Sequence, residues 1–283
     1  MTQRKFAHRA ALFDRPAVLF LPASKPRMIE KARDSGADMV ILDLEDAVAI
    51  DDKESARQAA VEAVASDWPM PVAIRVNGVG TNWHIADVQA VAGSGCDMII
   101  LPLVSAAEEV AAVADRVEQP VAAMIETARG VLAAPDIAEI AAALIVGTND
   151  LAADLRIPAG HARASMRTAI EQVVLAARAR GIACYDGVYN RIDDTDGFLA
   201  EAREGHALGF DGKTLIHPAQ IAPCHAAFAP SEADIDRAKR LLLAAQDECG
   251  AVSFEGEMVE AMHVASARRL LERAGVGESS SPA

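Results

Sequence analysis

PVAAMIETARGVLAAPDIAEIAAALIVGTNDLAAD, residues 120–154, decides how the rest of the chain is read. It holds two apolar runs of strand length, Val121 to Ile125 and Ala142 to Val146. Each is closed by a carboxylate, Glu126 directly after the first and Asp150 just beyond the second. A helix's length of sequence separates the runs. Strand, helix and strand at this spacing form a parallel βαβ unit, which turns both strand C-termini to the same side of a sheet. The two carboxylates are therefore expected to meet. Two oxygen donors with no Cys or His alongside suit a hard cation such as Mg²⁺, which keeps several waters and takes the rest of its shell from substrate. The competing reading is that Glu126 and Asp150 cap the helices that begin just after them.

The same alternation extends in both directions. AVLFLPA (17–23), DMVILDLEDAV (38–48), PVAIRVN (71–77) and DMIILPL (97–103) precede the central stretch, and IACYDGVY (182–189) and FDGKTLIHP (210–218) follow it. Helical segments are expected between them, near 26–36, 52–65, 86–92, 106–117, 163–180 and 196–208. Eight strands, each followed by a helix over short connections, predict a (β/α)₈ TIM barrel of the α/β class, with a doubly wound open sheet as the alternative. A barrel places its chemistry at the strand C-termini, which here carry Glu45 and Asp46, Arg75, Pro102, Glu126, Asp150, Asp186 and His217. Arg75 reads either as a structural ion pair or as a bidentate clamp on a substrate carboxylate. His217, before Pro218, reads as a rim hydrogen-bonder. Lys213 reads as a surface or salt-bridged lysine, with a Schiff-base nucleophile as the rival. The turn GVGTNW lacks the third glycine of a dinucleotide fingerprint.

After the barrel, taken as residues 1–228, a C-terminal helical lid segment is expected over 229–274. It comprises an amphipathic helix (231–248), a turn-like segment (253–258) and a second helix (259–274). The small, polar tail 275–283 is read as disordered.

Of the 283 residues 52% are hydrophobic, enough to bury a large core. The formal net charge of −14 argues against a nucleic-acid backbone or an anionic membrane surface as partner. No apolar run approaches the roughly 20 residues that span a bilayer, and the polar start has no signal-peptide pattern, so a cytoplasmic protein is expected. Cys96, Cys184, Cys224 and Cys249 have no CxxC spacing and read as free thiols.

Six motifs, LFLPASKPRMIEKA (19–32), ADMVILDLEDAV (37–48), IRVNG (74–78), MIETARG (124–130), VGTNDLAADL (146–155) and DGKTLIHPAQI (211–221), occur in an order that resembles the HpcH/HpaI aldolase and citrate lyase β-subunit family. The resemblance implies a Mg²⁺-dependent carbon–carbon lyase, Mn²⁺ also serving. It would act on a CoA thioester to release a small 2-keto acid, as a homotrimer or hexamer. It puts Glu126 and Asp150 at the metal, Arg75 on the keto-acid carboxylate, and Glu45 and Asp46 near the metal-bound waters. Arg15, Lys25 and Arg27 become candidates for the CoA phosphates. GEMVEAMHV (256–264) resembles the lid motif of malyl-CoA and citramalyl-CoA lyases, in which an acid enters the neighbouring subunit's site. Here that acid is Glu260, where aspartate is more usual. A malyl-CoA thioesterase and a citrate lyase-type subunit acting on a carrier-bound thioester share the motifs and stay open.

Overall fold

The computed structural model describes residues 12, 13, 15–158, 160, 162–245 and 252–276. Cys249, the end of the 231–248 helix and most of the 275–283 tail therefore lie outside the described residues. The apolar runs form β1 (Ala17–Pro22), β2 (Met39–Asp43), β3 (Val72–Arg75), β4 (Met98–Leu101), β5 (Val121–Ile125), β6 (Ala143–Val146), β7 (Ala183–Asp186) and β8 (Gly212–Leu215). All pairings are parallel and run in chain order, and β8 returns to β1 through Ala17 and Lys213, so the sheet closes into a barrel. Closure removes both edges and excludes the open doubly wound sheet. The helices are α1 (Pro26–Ala32), α2 (Lys53–Val64), α3 (His84–Ala92), α4 (Ala107–Ala114), α5 (Ala128–Ile140), α6 (Thr148–Asp154), α7 (Ala162–Ser165), α8 (Arg167–Arg180), α9 (Thr195–Leu208) and α10 (Ile221–Phe228). None is long and apolar enough to cross a membrane.

Period-two alternation sorts every strand residue to one face or the other. Val18, Met39, Ile41, Ala73, Met98, Ala122, Met124 and Tyr185 fill the barrel, with Leu12 at the base accepting the Tyr185 hydroxyl proton at 2.6 Å. The intervening residues, among them Val40, Leu42, Ile74, Ile99 and Leu144, face outward into the larger cluster beneath the helices. Counting two residues on from Ile41, Ala73 and Met124 reaches Asp43, Arg75 and Glu126. These three therefore project inward at the C-terminal end.

The same parity corrects the expectation for Asp186 and decides between the readings of Lys213 in favour of the salt-bridged one. Asp186 and Lys213 fall on the outward register, and Asp186 does not join the acids converging at the mouth. The Lys213 ammonium lies behind the sheet, 2.9 Å from Asp186, 2.8 Å from Glu201 and 2.6 Å from the Gly187 carbonyl. Arg163 reaches Asp186 at 2.7 Å from the other side. Burial alone would raise the Asp186 pKa, but these two cations hold it below the ordinary aspartate value. A fully buried, triply bonded lysine on the outer face has no access to substrate, so the Schiff-base reading is overturned. Lys213→Met should cost about 3 kcal/mol, since removing one partner strands a buried carboxylate on its remaining cation. Denaturant titration of the two proteins measures it.

The chain divides into two compact units, Met1–Phe228 and Ala229–Ala283. The second contains α11 (Glu232–Ala244), β9 (Val252–Phe254), β10 (Glu257–Val259) and α12 (Ala261–Arg273) around a small core of Ala238, Leu241, Val259, Ala267 and Leu271. Ser231 and Asp234 start α11 with a reciprocal capping box. The segment expected to be only turn-like is an antiparallel hairpin, in which Glu255 and Gly256 turn the chain in the left-handed region, at φ 52° and 83°.

Candidate active site

The barrel mouth is built on Arg75. Its Nε and Nη2 donate to Oδ1 and Oδ2 of Asp43, both at 2.7 Å. Nη1 lies 2.8 Å from Glu45 Oε2 and 3.5 Å from Asp46 Oδ2. The contact to Glu45 is an ion pair by distance only, and Glu45 Oε2 is buried with no hydrogen-bond partner. The guanidinium carbon sits 4.9 Å from the Phe20 ring centroid. Burial alone would lower the arginine pKa, but the Asp43 carboxylate overrides it, so the group stays charged.

Glu126 follows β5 on the inward register and is 2% exposed. It does not cap α5; Thr127 does, taking the Gly130 N–H at 3.0 Å. The carboxylate instead accepts the Leu103 N–H at 2.8 Å from the loop after β4. That loop turns through Leu103 at φ 54°, a left-handed conformation seldom adopted by a non-glycine residue. Across the sheet Ile125 pairs with Val146, so Glu126 lies beside Gly147, the N-cap of α6. Asp150 occupies the first turn of that helix rather than its cap.

Glu126, Asp150, Asp46, Asp43 and Arg75 line one cavity of about 290 Å³, walled by Phe20, Met124, Val146, Val188 and Ile216. Burial pushes Glu126 up to about 7, opposed by the Leu103 N–H and Arg75 and reinforced by Asp150. Asp150 is also raised, by burial and then by Asp46. Four carboxylates, two of them buried (Asp43 and Glu126) and two exposed (Asp46 and Asp150), share one arginine and are short of positive charge. Among the described residues no group of three or more His, Cys, Asp or Glu is arranged to hold an ion unaided. A cation here would take two protein oxygens and complete its shell with water or substrate, which fits Mg²⁺.

The other expected site residues stand beside this cavity or away from it. Glu45 does not line it but belongs to the same cluster through Arg75, 2.8 Å away, and burial lifts its carboxyl to about 8. Arg15 lies before β1, at the N-terminal end of the barrel, where it donates to the Asp38 carbonyl at 3.0 Å. It is therefore at the opposite end from the cavity and is withdrawn as a CoA contact. Lys25 and Arg27 are exposed beyond the C-terminal end of β1. His217 accepts the Ala219 N–H at 3.1 Å and caps the short turn after β8. Glu260 belongs to the second unit and is the N-cap of α12, in a reciprocal capping box with His263.

Sequence motifs singled out neither Asp43 as Arg75's partner nor Phe20, Gly147 or the Asn149–Asn190 amide pair, which joins the first turn of α6 to the loop after β7 at 2.7 Å. For Asp43 and Phe20, strand parity was the available signal.

The sequence profile described as HpcH/HpaI aldolase/citrate lyase matches residues 16–218. The chain belongs to this family. Among its relatives, a (3S)-malyl-CoA thioesterase of Cereibacter sphaeroides is 43% identical over 95% of this chain and 96% of that protein. Citrate lyase subunit beta of Escherichia coli is 32% identical over 92% and 93% of the two chains. Among solved structures of the family, CitE of Mycobacterium tuberculosis in complex with magnesium, acetoacetate and coenzyme A superposes with a TM-score of 0.84 at 36% identity. It covers 95% of this chain and 100% of that one. The (β/α)₈ barrel expected from the strand count is thus the architecture found.

Proposed function

We propose that this chain is a Mg²⁺-dependent lyase for a 3-hydroxyacyl-CoA of the malyl, citramalyl or citryl type. It would split the bond between the hydroxyl-bearing carbon and the thioester α-carbon to give a 2-keto acid and acetyl-CoA. The observation that carries this reading is the shared cavity: one charged arginine and two carboxylates with raised pKa, on the ends of neighbouring strands, walled by apolar side chains. The magnesium, acetoacetate and coenzyme A bound to CitE of M. tuberculosis supply the matching ligand chemistry.

Glu126 and Asp150 are the residues that would hold the cation. When bound, it would polarise the substrate hydroxyl and lower its pKa. Arg75 pairs with the substrate carboxylate and offsets the negative charge on the neighbouring substrate oxygen before it passes to the thioester enolate as the carbon–carbon bond breaks. Phe20, Met124, Val188 and Ile216 keep water from the enolate side. Glu260, contributed by a neighbouring subunit through the C-terminal unit, protonates the enolate carbon in cleavage and removes that proton in condensation. Lys25 and Arg27 meet the CoA phosphates.

A second reading, hydrolysis of the thioester, is favoured by the thioesterase of 43% identity. The products separate the two. With Mg²⁺ and (3S)-malyl-CoA, citramalyl-CoA or citryl-CoA, a lyase releases keto acid and no free thiol, whereas a thioesterase releases thiol and no keto acid. EDTA stops the reaction and Mg²⁺ restores it. Absence of both products with every thioester sinks both readings and leaves the carrier-bound substrate.

The shared lid has its own expected result. Glu126→Gln and Glu260→Gln chains, each inactive alone, regain activity when exchanged into mixed rings. With equal, random mixing, a site joins an intact Glu126 to an intact Glu260 about one time in four, whatever the ring size. Exchanged subunits with no regained rate exclude a site shared between subunits.

A further inference from the structure

We propose that Asp43 is a positioning residue that fixes which edge of Arg75 is offered to the substrate carboxylate. The inference rests on the carboxylate-binding role of Arg75 in the function proposed above. A guanidinium is planar, and its five N–H donors leave along three edges. Asp43 occupies the edge formed by Nε and Nη2, with two bonds of 2.7 Å. Glu45 and Asp46 lie against Nη1, at 2.8 and 3.5 Å. The edge between Nη1 and Nη2 keeps at least the second Nη2 N–H for a carboxylate in the cavity, which Arg75 lines.

Asp43 can hold that orientation because it is itself held. Its Oδ1 also accepts the Glu45 N–H at 2.9 Å and its Oδ2 the Ala47 N–H at 3.0 Å, so four donors converge on one carboxylate that is 1% exposed. It stands at the end of β2 in register with Arg75 on β3, which fixes the two backbones side by side. Phe20 and the Met124 sulfur, 3.9 Å from Nη1, close in on the guanidinium. The rest of the cavity pulls the other way. Glu126 and Asp150 line the same cavity and attract the same cation. Without the fork from Asp43, Arg75 is drawn toward those two acids and its outer edge turns from the substrate.

The test is a double-mutant cycle between Asp43→Asn and Arg75→Lys, with Asp43→Glu as a second variant that keeps the charge and shifts the fork by one methylene. Asparagine keeps one acceptor but sets an NH₂ against Nη2 and the Ala47 N–H. Two quantities are read on proteins shown by circular dichroism to be folded: kcat/KM for the thioester turned over, and the Kd of pyruvate by calorimetry in the presence of Mg²⁺. Each Asp43 variant should weaken both by about 100-fold, within the range seen when one preorganised donor is lost. The double variant should be no worse than Arg75→Lys alone, because both changes remove the same interaction. Losses that multiply would show Asp43 acting apart from Arg75 and overturn the inference, as would full activity in Asp43→Glu or failure of both Asp43 variants to fold. A wild type that binds pyruvate but turns over no thioester overturns the proposed reaction alone, and the cycle is then decided on Kd. A wild type that binds no 2-keto acid overturns both.

Discussion

Glu126→Gln is expected to abolish saturable Mg²⁺ binding and to lower turnover by about 1,000-fold, the upper part of the range for losing one preorganised electrostatic group. The amide has nearly the same shape and still accepts the Leu103 N–H with its oxygen, so the fold stays intact and only the charge is removed. Calorimetric titration of Mg²⁺ into the two proteins is the direct measurement. Wild-type affinity in the variant would return Glu126 to a purely structural acceptor. The same substitution has a signature without metal. Burial raises the folded-state pKa of Glu126 to about 7, from the ordinary glutamate value of 4.5. Between those values the folded protein holds a proton that the unfolded chain has lost, so the stability of the metal-free protein falls as pH rises from about 4.5 to about 7. Glutamine has no proton to lose, and the variant should lack this part of the slope. Urea midpoints across that interval report it.

The barrel and its two metal-site candidates were legible in the sequence for different reasons. The strands announced themselves because they are buried on both faces and therefore read as unbroken apolar runs, as at Val121–Ile125 and Met39–Leu42. That same burial hides which residues point inward, since a run such as VAAMI shows no alternation of its own. Parity has to be counted from a fixed point. Counted back from Glu126 it would have placed Met124 and Ala122 inside, and counted back from Leu215, which packs under the helices, it places Lys213 on the outer wall. Arg15 was misplaced for a related reason. It is close in sequence to a strand, but it precedes β1 where a mouth residue must follow a strand. The Asp43 fork was hidden because three acids, Asp43, Glu45 and Asp46, crowd one strand end, and only the register between β2 and β3 shows which one meets Arg75. The C-terminal hairpin was missed because its strands are three residues each, too short for any period to show.

Gly147 sits in the motif VGTNDLAADL with nothing there to mark its role, and it carries the last prediction. Glycine before a helix ordinarily reads as a permissive N-cap, and the backbone here, at φ −92° and ψ 87°, does not need a glycine. Space is what forbids anything larger. A Cβ on Gly147 would stand 2.0 Å from Glu126 Oε1, 2.4 Å from its Cγ and 2.6 Å from its Cδ. No real Cβ tolerates these distances. The far end of a flexible side chain could step aside, but Glu126 is held by the Leu103 N–H and surrounded by buried neighbours, and its room to move is the cavity itself. Gly147→Ala should therefore turn the carboxylate out of its place beside Asp150. Mg²⁺ affinity and turnover should both fall about 100-fold or more, the scale on which misplacing a catalytic group by about 1 Å is felt. The helix start itself is little affected, because alanine is allowed at this φ and ψ. Shortening the acid in the same chain, Gly147→Ala with Glu126→Asp, takes away the clashing methylene and should restore part of the Mg²⁺ affinity that the single glycine change removes. Calorimetry on the single and double variants measures it. If Gly147→Ala binds Mg²⁺ as the wild type does, Glu126 is not held where the cation needs it, and the metal site must be sought among other residues.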